Sequence, residues 1–303
     1  KEITLQNYWW LLAIALSLLT SAYVYANQLI KIKGSLLMIY RGLGTGLVLL
    51  PFCYFFVPIH NWAFYGLCIA QGLVISYGDN RILNSSKTFG AEVTSLIHPL
   101  SIFFIFLFWI ILHPSEFAAF TDHPLKFALI IFCLLGVMLA IIRILRARGS
   151  KKALGFLLAG MFCEIFIDVT NKETTHLGAE NIVSAIYYYT LITSLVAGSC
   201  NLSAHFLRNR GFSEILALKN LKFAWFFVFY AAVHSALKTY TMYLTPNPAY
   251  VAAIVHAYPV WILLAENIRQ RFCPRQGRRL VKVSPLWLGL LLVSIVGLIF
   301  VVE

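Results

Sequence analysis

The 303-residue chain predicts an all-α, polytopic membrane protein with ten transmembrane helices arranged as two inverted five-helix repeats. Three observations carry this. Sixty per cent of the residues are apolar and 12% are charged, about half the charged share of a soluble domain. Apolar runs of roughly twenty residues, the length that crosses the hydrocarbon core, recur from end to end. A histidine–proline motif in "SLIHPLSIFF" (95–104) returns as "IVHAYPVWIL" (254–263).

The runs cover 8–30, 35–58, 62–84, 91–112, 124–143, 152–170, 181–206, 222–244, 248–268 and 286–302. The first opens on Tyr8, Trp9 and Trp10 and the third on Trp62, aromatic residues suited to a membrane interface. The second carries Arg41, then "GLGTG" (42–46), which follows no strand and reads as small-residue helix packing. The third ends in "YGDNR", with Tyr77, Asp79 and Asn80. The fourth and ninth hold His98 with Pro99 and His256 with Pro259. Proline removes a backbone donor, so both helices are expected to bend and turn freed carbonyls toward a cavity.

The fifth and tenth runs carry Gly136 and Gly297, which follow the two prolines by 37 and 38 residues. This shared spacing divides the chain into halves, 1–150 and 151–303. Because five is odd, the second half enters the membrane in the opposite sense. Inverted repeats of this kind mark secondary transporters, with binding near the midplane.

The net charge of +12 does not form a nucleic-acid patch, because the basic residues sit between the runs. The odd-numbered connections hold 19 Lys and Arg, against Lys1, Lys126 and Lys172 in the even connections and termini. By the positive-inside rule the odd connections are cytoplasmic and both termini external. Six scattered cysteines have no metal-ligand or redox spacing, so neither a metal site nor a cofactor is expected. Enzymatic motifs are missing too: there is no zinc-binding helix, nucleophile elbow or phosphate loop.

Taken together, Arg41 in "IYRGLGTG", the short "NSSKTFG" connection, Pro99, Pro259, Glu116 in "HPSEF" and the glycine-bearing fifth and tenth helices resemble the ten-helix, EamA-like branch of the drug/metabolite transporter superfamily. The resemblance implies alternating access, a central cavity for a small organic metabolite, and cytoplasmic termini, against the charge count. It also departs from the repeat in one place. Glu266 comes seven residues after Pro259, whereas Glu116 comes seventeen after Pro99.

Charges inside spans are costly and so are functional candidates. Arg41 reads either as a structural ion-pair residue or as an anchor for a substrate carboxylate. Glu164 and Asp168 are four apart and share a face of the sixth run. Asp168 is expected to be solvated at a helix end, and Glu164 to lie deeper, as a proton-exchange group or as the partner of Arg41 or Lys238. "YGDNR" and the segment around Lys238 take corresponding levels in the two halves, which would put them at gates on opposite sides of the membrane. His98 and His256 read either as structural donors or as titrating groups. Tyr187, Tyr188 and Tyr258 would line a cavity and hold a planar or cationic substrate by their rings.

The sequence thus points to a transporter for a small polar organic metabolite, an amino acid or related compound. Its expected setting is the lipid bilayer of a bacterial inner membrane, as a monomer or homodimer. Coupling to protons or to a counter-substrate is left open. The alternatives are a carrier of a cationic nucleoside-like or quaternary metabolite, or a membrane-embedded lipid-modifying enzyme.

Overall fold

The computed structural model describes residues 8–29, 32, 34–89, 97–145, 151–208, 211–272 and 284–302, and among them the chain is helical with no strand. The first half comprises α1 (Trp9–Leu29), α2 (Gly34–Ile39), a π-helical turn (Tyr40–Gly44), α3 (Thr45–Leu49), α4 (Trp62–Phe89), α5 (Ile97–Leu112), α6 (Pro114–Thr121) and α7 (Pro124–Leu145). The second comprises α8 (Lys151–Leu177), α9 (Ile182–Leu207), α10 (Phe212–Ile215), α11 (Leu218–Leu244), α12 (Pro248–Val255), α13 (Tyr258–Phe272) and α14 (Pro285–Val302). Among the described residues, six helical stretches are long and apolar enough to cross a membrane: Trp9–Asn27, Gly34–Phe55, Pro124–Ile144, Ala179–Leu207, Pro248–Ala265 and Pro285–Val302. The protein is therefore an all-α, multi-pass membrane protein.

Three further helices are long enough to span and carry interior charge. Helices α4, α8 and α11 have 28, 27 and 27 residues, about 40 Å each at the helical rise. They carry Asp79, Glu164, Asp168 and Lys238, and they turn these charges inward. These charged helices build the interior site.

Local chemistry sets the helix ends. Asn181 caps α9 by accepting from the Ser184 amide at 3.1 Å. Asn247 caps α12 by accepting from the Ala249 amide at 2.9 Å, with Pro248 in the first turn, where its missing N–H costs nothing.

Two segments differ from the sequence expectation. Helix α4 runs through "NSSKTF" to Phe89, so that stretch is not a connection. Helix α8 continues past 170 to Leu177, through polar "TNKETTH". Its threonines satisfy themselves on the preceding turn: Thr170 donates to the Phe166 carbonyl at 2.6 Å, and Thr174 and Thr175 donate to the Asn171 and Lys172 carbonyls at 2.7 Å. Lys172 is buried and donates to the Met242 carbonyl at 2.8 Å, so it is not a loop charge.

The ninth run is broken rather than bent. Helix α12 stops at Val255, His256 and Ala257 form a turn, and α13 begins at Tyr258. A continuous helix would satisfy the Val255 carbonyl from the amide of residue 259, which is proline. Ser17 of α1 replaces that donor at 3.1 Å, and its oxygen accepts from the Trp261 indole at 3.0 Å. The Ser21 hydroxyl donates to the Tyr258 carbonyl at 2.9 Å. Pro99 lies in the first described turn of α5, and residues 91–96 of the fourth run lie outside the described residues.

Contacts between the halves come in matched pairs. Helix α4 packs on α8 and α9, as α11 packs on α1 and the π turn; α5 packs on α8, as α12 and α13 pack on α1. Helices α7 and α14 make the most extensive pairing, with Gly136 against Ser294 and Gly297 against Cys133. One residue number rises as the other falls, so these helices run antiparallel. The same holds where Gly42 meets Gly198 and Gly46 meets Leu195. A Cβ on Gly42 would lie 2.5 Å from the Gly198 backbone, so "GLGTG" packs helices closely.

Candidate binding cavity

A cavity of about 120 Å³ opens among α1, the π turn, α4, α5, α8, α9, α11 and the α12–α13 break. Each element delivers a side chain to it. The π turn, a local widening of the helix often found at functional sites, presents Arg41. Helix α4 supplies Asp79, α5 His98, α8 Glu164, α11 His234 and Lys238, and the break supplies His256 and Tyr258.

The charges sort into three groups. Arg41 pairs with Asp79, and its guanidinium lies 5.6 Å and 6.0 Å from the ring centres of Tyr23 and Tyr230. Lys238 pairs with Asp168. Glu164 pairs with neither cation, and its Oε1 lies 3.1 Å from His98 Nδ1 and 4.0 Å from His256 Nε2.

The His256 ring is oriented by backbone. Its Nδ1 lies 3.0 Å from the His98 carbonyl, which can only accept, so Nδ1 carries a proton. Nε2 then faces Glu164 and, at 3.9 Å, Asp168 Oδ2. A neutral His256 would aim a lone pair at two carboxylates. A cation between these groups resolves the arrangement.

Aromatic rings close the walls. Tyr23 stacks on Tyr230 at 4.1 Å, and Tyr230 on His234 at 5.1 Å. The Tyr189 hydroxyl accepts from the Gln71 amide at 2.8 Å and the Asn171 amide at 2.7 Å, leaving its own proton for another acceptor.

Of the residues singled out from sequence, Arg41, Asp79, His98, Glu164, Lys238, His256 and Tyr258 meet at this cavity. Asp79 and Lys238 therefore share one chamber rather than two opposed gates. Asp168 is 1% exposed, not solvated, because α8 continues past it. The remaining four lie elsewhere. Tyr77 is exposed beneath Arg81, whose guanidinium lies 4.8 Å from its ring centre. Asn80 bonds Asn201 and the Ser76 carbonyl. Tyr187 donates to the Leu49 carbonyl at 2.7 Å, and Tyr188 to the Phe56 carbonyl at 3.0 Å.

Sequence reading missed Tyr23, Tyr189, Tyr230 and His234 as cavity residues. Tyr189 directly follows Tyr187 and Tyr188 in the chain, and it is the ring that reaches the cavity. Nothing in the sequence marks Tyr23 and Tyr230, which meet only through the α1–α11 packing. Among the described residues, two clusters, His98–Glu164–His256 and His113–Glu173–His176, bring ligand atoms within 4.8 Å of one another. Spacing along the chain does not foretell either.

No family model matches the sequence, and no curated protein matches it significantly. In fold it is similar to solved structures. One, titled "Crystal structure of protein", superposes with a TM-score of 0.61 at 16% identity, over 98% of this chain and 95% of that one.

Proposed function

We propose that the protein is a secondary transporter of the drug/metabolite type that moves a small polar organic metabolite, an amino acid or a related amine-bearing compound, by alternating access. The observation that carries this reading is the charge of the interior. Around one cavity in an apolar bundle, Asp79, Glu164 and Asp168 oppose two permanent cations, Arg41 and Lys238. Burying such groups is expensive, and a merely structural core has no use for an unmatched carboxylate. A protonated amine completes the balance, so Glu164 with His98 and His256 is the exchange site. The tyrosine walls suit an ammonium group held against ring faces.

The ten runs act as two five-helix halves, 1–150 and 151–303, of opposite sense in a bacterial inner membrane, with both termini external. The matched inter-half contacts and the antiparallel α7–α14 pair support this division. The halves rock about the cavity, driven by protons or a counter-substrate. The test is flux of radiolabelled amino acids and organic amines into proteoliposomes of the purified protein. Uptake of an unaltered solute, lost in Glu164→Ala, is the expected result. Chemical conversion of the solute, or no flux of any amine or amino acid, overturns the reading.

A further inference from the structure

We infer that His113, Glu173 and His176 form a binding site for a divalent transition-metal ion of the zinc class, apart from the central cavity. His113 follows the last residue of α5 and precedes Pro114, which starts the next helix. Glu173 and His176 are three apart on α8, so they share its face. The ligand atoms of all three lie within 4.8 Å of one another, and His113 Nε2 is 3.0 Å from Glu173 Oε2. Two ligands on one tetrahedral zinc at its usual bond lengths stand roughly 3.4 Å apart. The three groups therefore need only small side-chain rotations to close on an ion.

The surroundings suit a metal more than a plain ion pair. The Trp109 ring lies 4.0 Å from His113 and 5.4 Å from His176, so one aromatic wall fixes both imidazoles. Lys172, next to Glu173, is turned away and held on the Met242 carbonyl. His113 and Glu173 side chains are 25% and 33% exposed, which leaves an approach and an open fourth position for water. Two imidazoles and one carboxylate favour zinc, cobalt, nickel or copper over calcium or magnesium, which take oxygen ligands.

The location gives the site a consequence. Helix α5 carries His98 and α8 carries Glu164 and Asp168, so an ion here staples the two helices that hold the exchange groups. His113 lies fifteen residues beyond His98, about 22 Å along the helix axis.

The experiment uses the full chain in detergent. Zn²⁺ is titrated against thermal unfolding with chelator reversal, and Co²⁺ binding is read from its visible absorption. Zn²⁺ should raise the unfolding midpoint, and chelator should restore it. His113→Ala and His176→Ala should each weaken Co²⁺ binding by about tenfold or more, and Glu173→Gln should alter the Co²⁺ band. His256→Ala, which dismantles the central cluster, should leave the Co²⁺ band intact. The assignment fails if the parent protein gives neither a Zn²⁺ shift nor a Co²⁺ band. It fails equally if His113→Ala/His176→Ala binds Co²⁺ like the parent, or if His256→Ala alone removes the band.

Discussion

Arg41 and Asp79 hold one another in a largely buried pair, so neither can be altered alone without stranding the other. Arg41→Ala should therefore stop flux and also lower stability by about 3 kcal/mol, the lower end for an orphaned buried charge where a cavity admits some water. Unfolding in detergent measures this. Asp79→Asn in the same chain should recover most of the lost stability but not flux, and a fully stable Arg41→Ala would refute the pairing. Arg41→Lys should rescue only in part, because lysine lacks the planar fork. Glu164→Gln separates the exchange group from the fixed pairs. It keeps shape and hydrogen bonding but cannot release a proton. Accumulation under a pH gradient should be lost while substrate counterflow persists; normal accumulation would make Glu164 structural. Sequence marked both residues because charge in an apolar run is conspicuous. It could not assign partners, since Glu164 meets a histidine on α5 while Lys238 takes Asp168.

At the scale of elements, most helices were legible because apolar length is a direct physical demand of the bilayer. What escaped was polar helix. The "TNKETTH" stretch reads as loop, yet its hydroxyls bond the preceding turn and its lysine finds a carbonyl, so α8 continues and buries Asp168. The proline signal was read correctly in place and wrongly in degree: the ninth run breaks at His256–Ala257, and α1 serines repair the exposed carbonyls. Ser17→Ala removes the donor to Val255 and the acceptor for Trp261. It should cost about 1–3 kcal/mol, the penalty for leaving buried polar groups unmet. Pro259→Ala restores the missing amide and should let α12 and α13 merge. Flux should slow while its pH dependence stays put, because the titrating groups are untouched. A shifted pH profile in Pro259→Ala would mean that the break also sets the environment of His256.

For the whole molecule, the proposed division into halves of opposite sense is supported by contacts that repeat when the halves are exchanged. Gly297 lies against Cys133 across α7 and α14, where a Cβ would stand 3.0 Å from the sulfur. Gly297→Cys should therefore oxidise to a cross-link with Cys133, read as a covalent bond between the two fragments after cleavage within residues 146–150. Failure to cross-link under oxidant would remove the antiparallel pairing from the argument. Orientation is the remaining global property, and here charge and resemblance disagree. Lys172 is buried on Met242, which leaves two cations in the even connections and termini, while Arg81 and Lys87 fall within α4, which leaves 17 in the odd connections. Short basic loops resist translocation, and the odd connections hold nearly all of them. Both termini are therefore expected outside. A reporter that works only outside the cytoplasm, fused after Glu303, should be active, and one that works only in the cytoplasm should be silent. The reverse pattern would turn the molecule over and exchange the sides on which the cavity opens. It would leave the interior pairings untouched, because they depend on helix packing and not on which leaflet each helix faces.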